Sequence, residues 1–335
     1  MPLLRLQRGD INFMNSLQID KPFPYSDTEK RYHTFDYFAK HLFGKKAARV
    51  SLDAHLSCPN KDGTCGIGGC LFCADGSSGA IGDTIEEQYA RGAAAVQRKW
   101  GDAALIPYLQ ANTNTYGEIG ALSDLYERCA ALPGAVMLAI GTRADCLGED
   151  VIRLLVRISK KIPLLVELGM QSSNEETITA IRRGYSHTDF VKGYRKLRKA
   201  GGDIRICLHL MNGLPGETRE DMLQTAKEAA RLAPDMVKIH AVCVLKNTGL
   251  HAMWETGAYS PLTMADHVGI LCDQLSILPP EVVIARICAD APRDILAAPM
   301  WVRNKMAIRN ALDKEMRVRG IWQGISAAPF TIPGE

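Results

Sequence analysis

Six apolar runs, each followed by a segment patterned as a helix, alternate between residues 48 and 242, and this alternation limits the fold most. The strand-like runs are 48–53, 104–110, 135–141, 164–170, 204–210 and 236–242. Each is nearly continuous in apolar residues, so both faces must be covered, as in a parallel sheet. The helical patterns between them fall at 84–100, 123–132 with Ser123 as N-cap, 149–161, 175–183 with 188–200, and 219–232. Six such units that curve without closing predict an α/β fold, a partial (β/α)6 barrel of TIM type. Its chemistry is then expected at the strand C-termini.

The alternation also sets the domains. Residues 1–30 show little periodicity and read as an N-terminal arm. Residues 31–245 read as the barrel, opened by a short amphipathic helix at 32–43. After residue 245 the pattern changes to a helix at 263–278, a strand at 282–287 and a basic helix at 300–319. Residues 246–335 therefore read as an extension packed on the barrel. No Gly/Ser-rich linker or internal repeat separates it.

The first strand runs into a loop, 58–73, in which four of the ten cysteines occur. Five of its sixteen positions are Pro or Gly, so it is irregular. Closely spaced thiolates select zinc or an iron–sulfur cluster. The Cys70-Leu71-Phe72-Cys73 turn can chelate either. A structural zinc site usually shows two such pairs, and here there is one, with Cys58 and Cys65 upstream. A four-thiolate zinc knuckle, a fully Cys-ligated electron-transfer cluster and a three-thiolate cluster with one open iron all stand at this point.

Other residues mark the expected strand ends. Gln110-Ala-Asn112-Thr-Asn114-Thr-Tyr116 crowds polar side chains after the second strand, or else braces its own loop. Glu167 to Ser172 ends the fourth strand, and Arg183 follows one helix later. Asn212-Gly213-Leu-Pro215-Gly216 is a strand-to-helix turn in which glycine permits close backbone approach to a ligand. Lys238 and His240 share one face of the sixth strand, where polar groups need partners or a cavity. They are the candidate catalytic residues, and Lys246 beyond them could meet a phosphate.

Cys58, Cys70 and Cys73, with Phe72 in the aromatic position, resemble the radical S-adenosyl-L-methionine (SAM) superfamily. That resemblance implies a [4Fe-4S] cluster on these three cysteines and SAM chelating the fourth iron. It implies one-electron cleavage to a 5′-deoxyadenosyl radical, fed by a donor such as flavodoxin or ferredoxin. Cys65 departs from the pattern and reads as a bystander. By the same resemblance Asn112 and Asn114 hold the SAM amino group, and Gln171 its ribose. Arg183 takes the carboxylate, as in the Gly-x-Gln-Ser and arginine elements of oxygen-independent coproporphyrinogen oxidase. Gly213 and Pro215 meet the adenine, and Phe72 and Glu167 complete the cofactor contacts.

Cys-Pro-Asn-Lys-Asp-Gly at 58–63, Gly-Thr-Arg-Ala-Asp-Cys at 141–146, Val-Lys-Ile-His at 237–240, Asp-Ala-Pro-Arg at 290–293 and Trp-Gln-Gly at 322–324 extend the likeness. They resemble the YhcC/YtqA-like radical SAM proteins, relatives of the radical SAM half of the Elongator catalytic subunit. This implies tRNA as partner, through the C5 side chain of its wobble uridine. With 335 residues there is no room for Elongator's acetyltransferase domain, so acetyl transfer by that route is not expected. A small metabolite as substrate and a non-enzymatic zinc module are the rivals.

Composition adds little that decides. A net charge of +3 neither demonstrates nor opposes an RNA partner. Basic clusters on 192–199 and 303–319 suit a phosphate backbone or a solvated face. No apolar run reaches eighteen residues, so no membrane span is expected. The first ten residues lack the apolar core of a signal peptide. Cysteines outside the loop sit in apolar runs and read as reduced core residues of a cytoplasmic protein.

Overall fold

In the computed structural model, which describes residues 23–74, 80–289, 291 and 293–327, all six runs are strands of one parallel sheet. They are β1 (Ala47–Leu52), β2 (Ala104–Leu109), β3 (Leu138–Thr142), β4 (Leu164–Gln171), β5 (Ile204–Asn212) and β6 (Met236–Ala241). They lie side by side in chain order. The arm expected over 1–30 lies mostly outside the described residues, as do Asp290 and Pro292 of the 290–293 element.

Two further strands, β7 (Val244–Leu245) and β8 (Val283–Arg286), follow β6. β8 pairs parallel with β6 and adds a seventh strand to the sheet, one more than the six units expected. β7 instead pairs antiparallel with β9 (Leu296–Ala298).

The sheet curls. Neighbouring strands are about 4.8 Å apart, so in a flat sheet β2 and β6 stand roughly 19 Å from each other. Yet Lys238 of β6 donates to the Tyr108 hydroxyl of β2 at 3.5 Å, and Arg49 of β1 lies 3.2 Å from Glu167 of β4. Only a half-barrel brings these side chains together. Its inner floor is apolar, built from Ile106, Met137, Leu165, Cys207 and Met236. It is capped by Phe35 and Phe38 of helix α1 (Phe35–Phe43).

The outer face is clad by α2 (Ile85–Trp100), α3 (Ile119–Ala130), α4 (Glu149–Ser159), α6 (His187–Lys199), α7 (Arg219–Leu232) and α9 (Met264–Ile277). Between α4 and α6 the short α5 (Glu175–Ala180) follows β4. Between α7 and α9 lies α8 (Gly249–Glu255). Thr84 opens α2 through a capping box with Glu87. The helix read at 123–132 starts four residues earlier, because the Glu118 carboxylate, not Ser123, accepts from the amides of Gly120 and Ala121. The basic helix read at 300–319 is broken. A helical turn at Met300–Arg303 ends at Asn304, whose side chain then caps α10 (Lys305–Val318).

Candidate cofactor site at the barrel mouth

Cys58 to Cys73 form a knot at the C-terminal end of β1. The Cys58 carbonyl accepts from the amides of Lys61 and Asp62, and the Asn60 carbonyl from Gly69. The Cys73 amide closes the chelate turn on the Cys70 carbonyl at 2.9 Å. Asn60 orients the central thiol: its Nδ2 donates to Cys70 Sγ at 3.4 Å and to the Arg182 carbonyl at 2.6 Å. That position demands glycine on both sides. A Cβ on Gly66 would stand 2.4 Å from Asn60 Oδ1, and one on Gly184 2.5 Å. Behind the thiols, Leu71 is buried with Ile181, Leu214 and Leu250, and Phe72 packs against this cluster. The Leu71 backbone bonds to Ile181 and Leu250.

The Cys70 thiol is pushed up to about 12, by burial first and then by Cys73, with Cys58 adding to it. The neighbouring sulfurs of Cys73 and Cys58 disfavour the Cys70 thiolate, a repulsion that a cationic metal would relieve. Cys65 stands apart. A bridge between Asp62 and Ile67 closes a small loop with Cys65 near its tip, exposed beside Thr64, whose hydroxyl meets Tyr116 at 2.8 Å. Cys65 and Cys146 line a cavity of about 670 Å³ with Tyr116 and Asp145, so Cys146 is not the core residue expected.

Among the described residues no three of the loop thiols lie within 4.8 Å of one another.

The structure brings the other candidates to the same end of the sheet and gives them different work. Asn112 is exposed in a left-handed conformation, its Oδ1 accepting from Lys61 at 2.9 Å. Asn114 is fully buried and its amide is spent on the carbonyls of Leu109, Ala111 and Gly141, the loop-bracing reading of that segment. Gln171 sits at the end of β4 beside a bulge, with φ +57°. Backbone strain of this kind clusters at ligand sites.

Arg183 is buried. Its Nη1 donates to the carbonyls of Met170 and Ser172 and its Nε to Tyr185, while Nη2 has no partner. Arg143 in turn donates to the Arg183 carbonyl, pairs with Asp145 and stacks on Tyr185. Most of the Arg183 fork therefore holds the turn after β4. Gly213, with φ +85°, gives its amide to Met222 and its carbonyl to Tyr259, and a Cβ there would stand 2.8 Å from Leu262. Pro215 is half-buried in the following turn.

Below the mouth lies a polar layer that the sequence reading recognised only in part. Lys238 is buried and ion-paired with Glu167, which also faces Arg49 and accepts from His209 Nε2 at 2.8 Å. Burial raises the Glu167 carboxyl, but Lys238 and Arg49 outweigh it and hold it well below the usual range. Burial brings Lys238 down to about 8 despite Glu167. Burial, then Lys238, lowers His209 to about 4. Burial and Arg286 drive His240 well below its ordinary value. Glu167, Cys207 and His209 bring ligand atoms within 4.8 Å of one another, but two cations already neutralise the carboxylate. The group is an ion-pair hub. His209 and Arg49 were missed from sequence, although a polar residue inside each apolar run marked both.

Four of the basic residues considered for RNA contact have partners within the chain. Lys246 donates to the Asp294 carbonyl at 3.0 Å. On the basic helices, Lys192 pairs with Asp189, Arg198 with Asp235, and Arg319 with Asp273. No described helix is long and apolar enough to cross a membrane.

Residues 63–229 match the model of the radical SAM superfamily, and residues 234–318 that of the radical SAM C-terminal domain. The chain is 41% identical to YtqA of Bacillus subtilis over 309 residues, 91% of this chain and 95% of that protein. It is 32% identical over 164 residues to the tRNA uridine(34) acetyltransferase of Methanocaldococcus jannaschii, 48% of this chain and 29% of that one. An archaeal Elp3 structure from Methanocaldococcus infernus superposes with a TM-score of 0.64 at 21% identity. It covers 83% of this chain and 64% of the other, a likeness of fold.

Proposed function

The chain belongs to the radical SAM superfamily, and from that premise we propose that it modifies the C5 side chain of the wobble uridine in tRNA. It is a radical SAM enzyme whose cofactors are a [4Fe-4S] cluster and SAM. With both bound, the chemistry supplied is a 5′-deoxyadenosyl radical that takes a hydrogen atom from substrate, after one electron from a donor such as flavodoxin or ferredoxin.

Cys58, Cys70 and Cys73 are the proposed cluster ligands, with Asn60 holding the central sulfur by its hydrogen bond. Phe72 anchors the loop through the apolar cluster beneath it. Asn112, Gln171, Gly213 and Pro215 stand at the mouth and are assigned to SAM. Asn114 and Arg183 shape the two loops that carry them. Lys238 is sealed beneath the mouth, so its proposed task is to hold Glu167 and, through it, the layer above. His240 shares that layer with His209, their ring centroids 6.0 Å apart.

The observation that carries the substrate reading is the alignment with a tRNA uridine(34) acetyltransferase over 164 residues. Exposed Arg182 supplies positive charge at the same rim. The rival, a small metabolite, is favoured by the cavity of about 670 Å³ beside Cys65, a size typical of small-molecule sites. The test is anaerobic release of 5′-deoxyadenosine with and without tRNA lacking the wobble modification. Stimulation by tRNA, with binding that weakens steeply as salt rises, supports the reading. Release that tRNA leaves unchanged and a metabolite extract raises assigns the enzyme to the rival.

A further inference from the structure

Glu167 determines the proton positions in the layer below the mouth. It is ionised and can only accept hydrogen bonds. Its Oε2 lies 2.8 Å from His209 Nε2, so that nitrogen must carry the proton. The other nitrogen, Nδ1, then holds a lone pair. Among the described residues the ring's one hydrogen bond is the one from Nε2 to Glu167. The His209 side chain is 23% exposed, whereas Glu167 beneath it is fully buried. His209 is the sixth residue of β5 and stands towards the strand end that faces the thiol loop. The imidazole stays uncharged at neutral pH, because burial and Lys238 disfavour a second proton.

We propose that His209 Nδ1 receives the N3–H of a uracil ring at the barrel mouth and so distinguishes uridine from cytidine. The inference rests on the wobble-uridine reading. Uracil presents a donor at N3; cytosine presents a lone pair there. Two lone pairs facing each other leave a desolvated acceptor without a partner, which rejects the wrong base far better than a missing apolar contact does. Glu167, Lys238 and Arg49 are positioning residues: they touch no substrate and fix which nitrogen is bare.

The test uses the reconstituted holoenzyme and two anticodon stem-loop RNAs, identical except for uridine or cytidine at the wobble position, in anaerobic competition. Wild type should favour the uridine RNA by about tenfold or more, the effect of one mispaired polar group. His209→Ala should bring the ratio close to one. Glu167→Gln with Lys238→Met keeps the layer's net charge and lets the new amide donate to Nε2, moving the histidine's proton to Nδ1. That double variant should shift the preference towards cytidine, an outcome no merely structural role produces. Equal binding of both RNAs by wild type, or an unchanged ratio in His209→Ala, overturns the assignment and leaves the tRNA reading standing. Weaker SAM binding in His209→Ala with the ratio intact overturns it too, giving His209 to the cofactor. Binding of neither RNA overturns the tRNA reading itself, and this assignment falls with it.

Discussion

Burial pushes the Glu217 carboxyl up to about 7, helped by Asp221 and resisted by the hydroxyl of Ser172, while its second oxygen has no partner. Its folded-state pKa lies above the ordinary 4.5, so the folded chain binds the extra proton between pH 4.5 and 7. This contribution to stability is complete below pH 4.5 and is lost as pH rises through 7. The shift corresponds to about 3 kcal/mol. Glu217→Gln removes the titration, so its denaturant midpoint should gain on wild type steadily across that range, and a constant difference would refute the assignment. At this scale the sequence revealed what was local. The four loop cysteines lie within sixteen residues, so a thiol-rich loop was legible from spacing, and the resemblance singled out Cys58, Cys70 and Cys73. The Asn114 amide and the Arg183 fork were legible as polar groups, but their carbonyl partners come from loops that only folding brings near. His209 was hidden because Glu167, its partner, is 42 residues away.

Elements were read well where their own residues decide them and less well where tertiary contacts do. The α7 boundaries follow from Thr218 and its capping box, and Thr84 does the same for α2. Thr84→Ala should cost about 1 kcal/mol in urea unfolding, the ordinary value of an N-cap. The break at Asn304 and the early start of α3 at Glu118 were missed because a residue outside the apolar periodicity caps each helix. Gly193 offers a sharper test. It lies inside α6, where alanine would gain about 1 kcal/mol by helix propensity alone. Here a Cβ would stand 2.1 Å from the Ala144 carbonyl oxygen, a backbone atom in a turn that Arg143 and Asp145 hold in place. Gly193→Ala should therefore lose roughly 2 kcal/mol in urea titration, with overpacking outweighing propensity. A stabilised variant would mean that α6 does not press on that turn.

For the whole molecule, alternation gave the parallel sheet and its order, because continuous apolar runs leave little choice. The seventh strand was harder to place: nothing in residues 283–286 says that they pair with β6 rather than with β9. The curl brings Arg49, Glu167 and Lys238 from β1, β4 and β6 into contact and keeps the mouth open above them. The proposed cluster takes Cys58, Cys70 and Cys73 at that mouth as its ligands and leaves the exposed Cys65 out. Iron and acid-labile sulfide in anaerobically reconstituted wild type and four single cysteine variants measure this directly. The account predicts roughly four of each per chain, retained in Cys65→Ala and lost in Cys58→Ala, Cys70→Ala and Cys73→Ala. One zinc without sulfide, or a cluster that vanishes with Cys65, would contradict it.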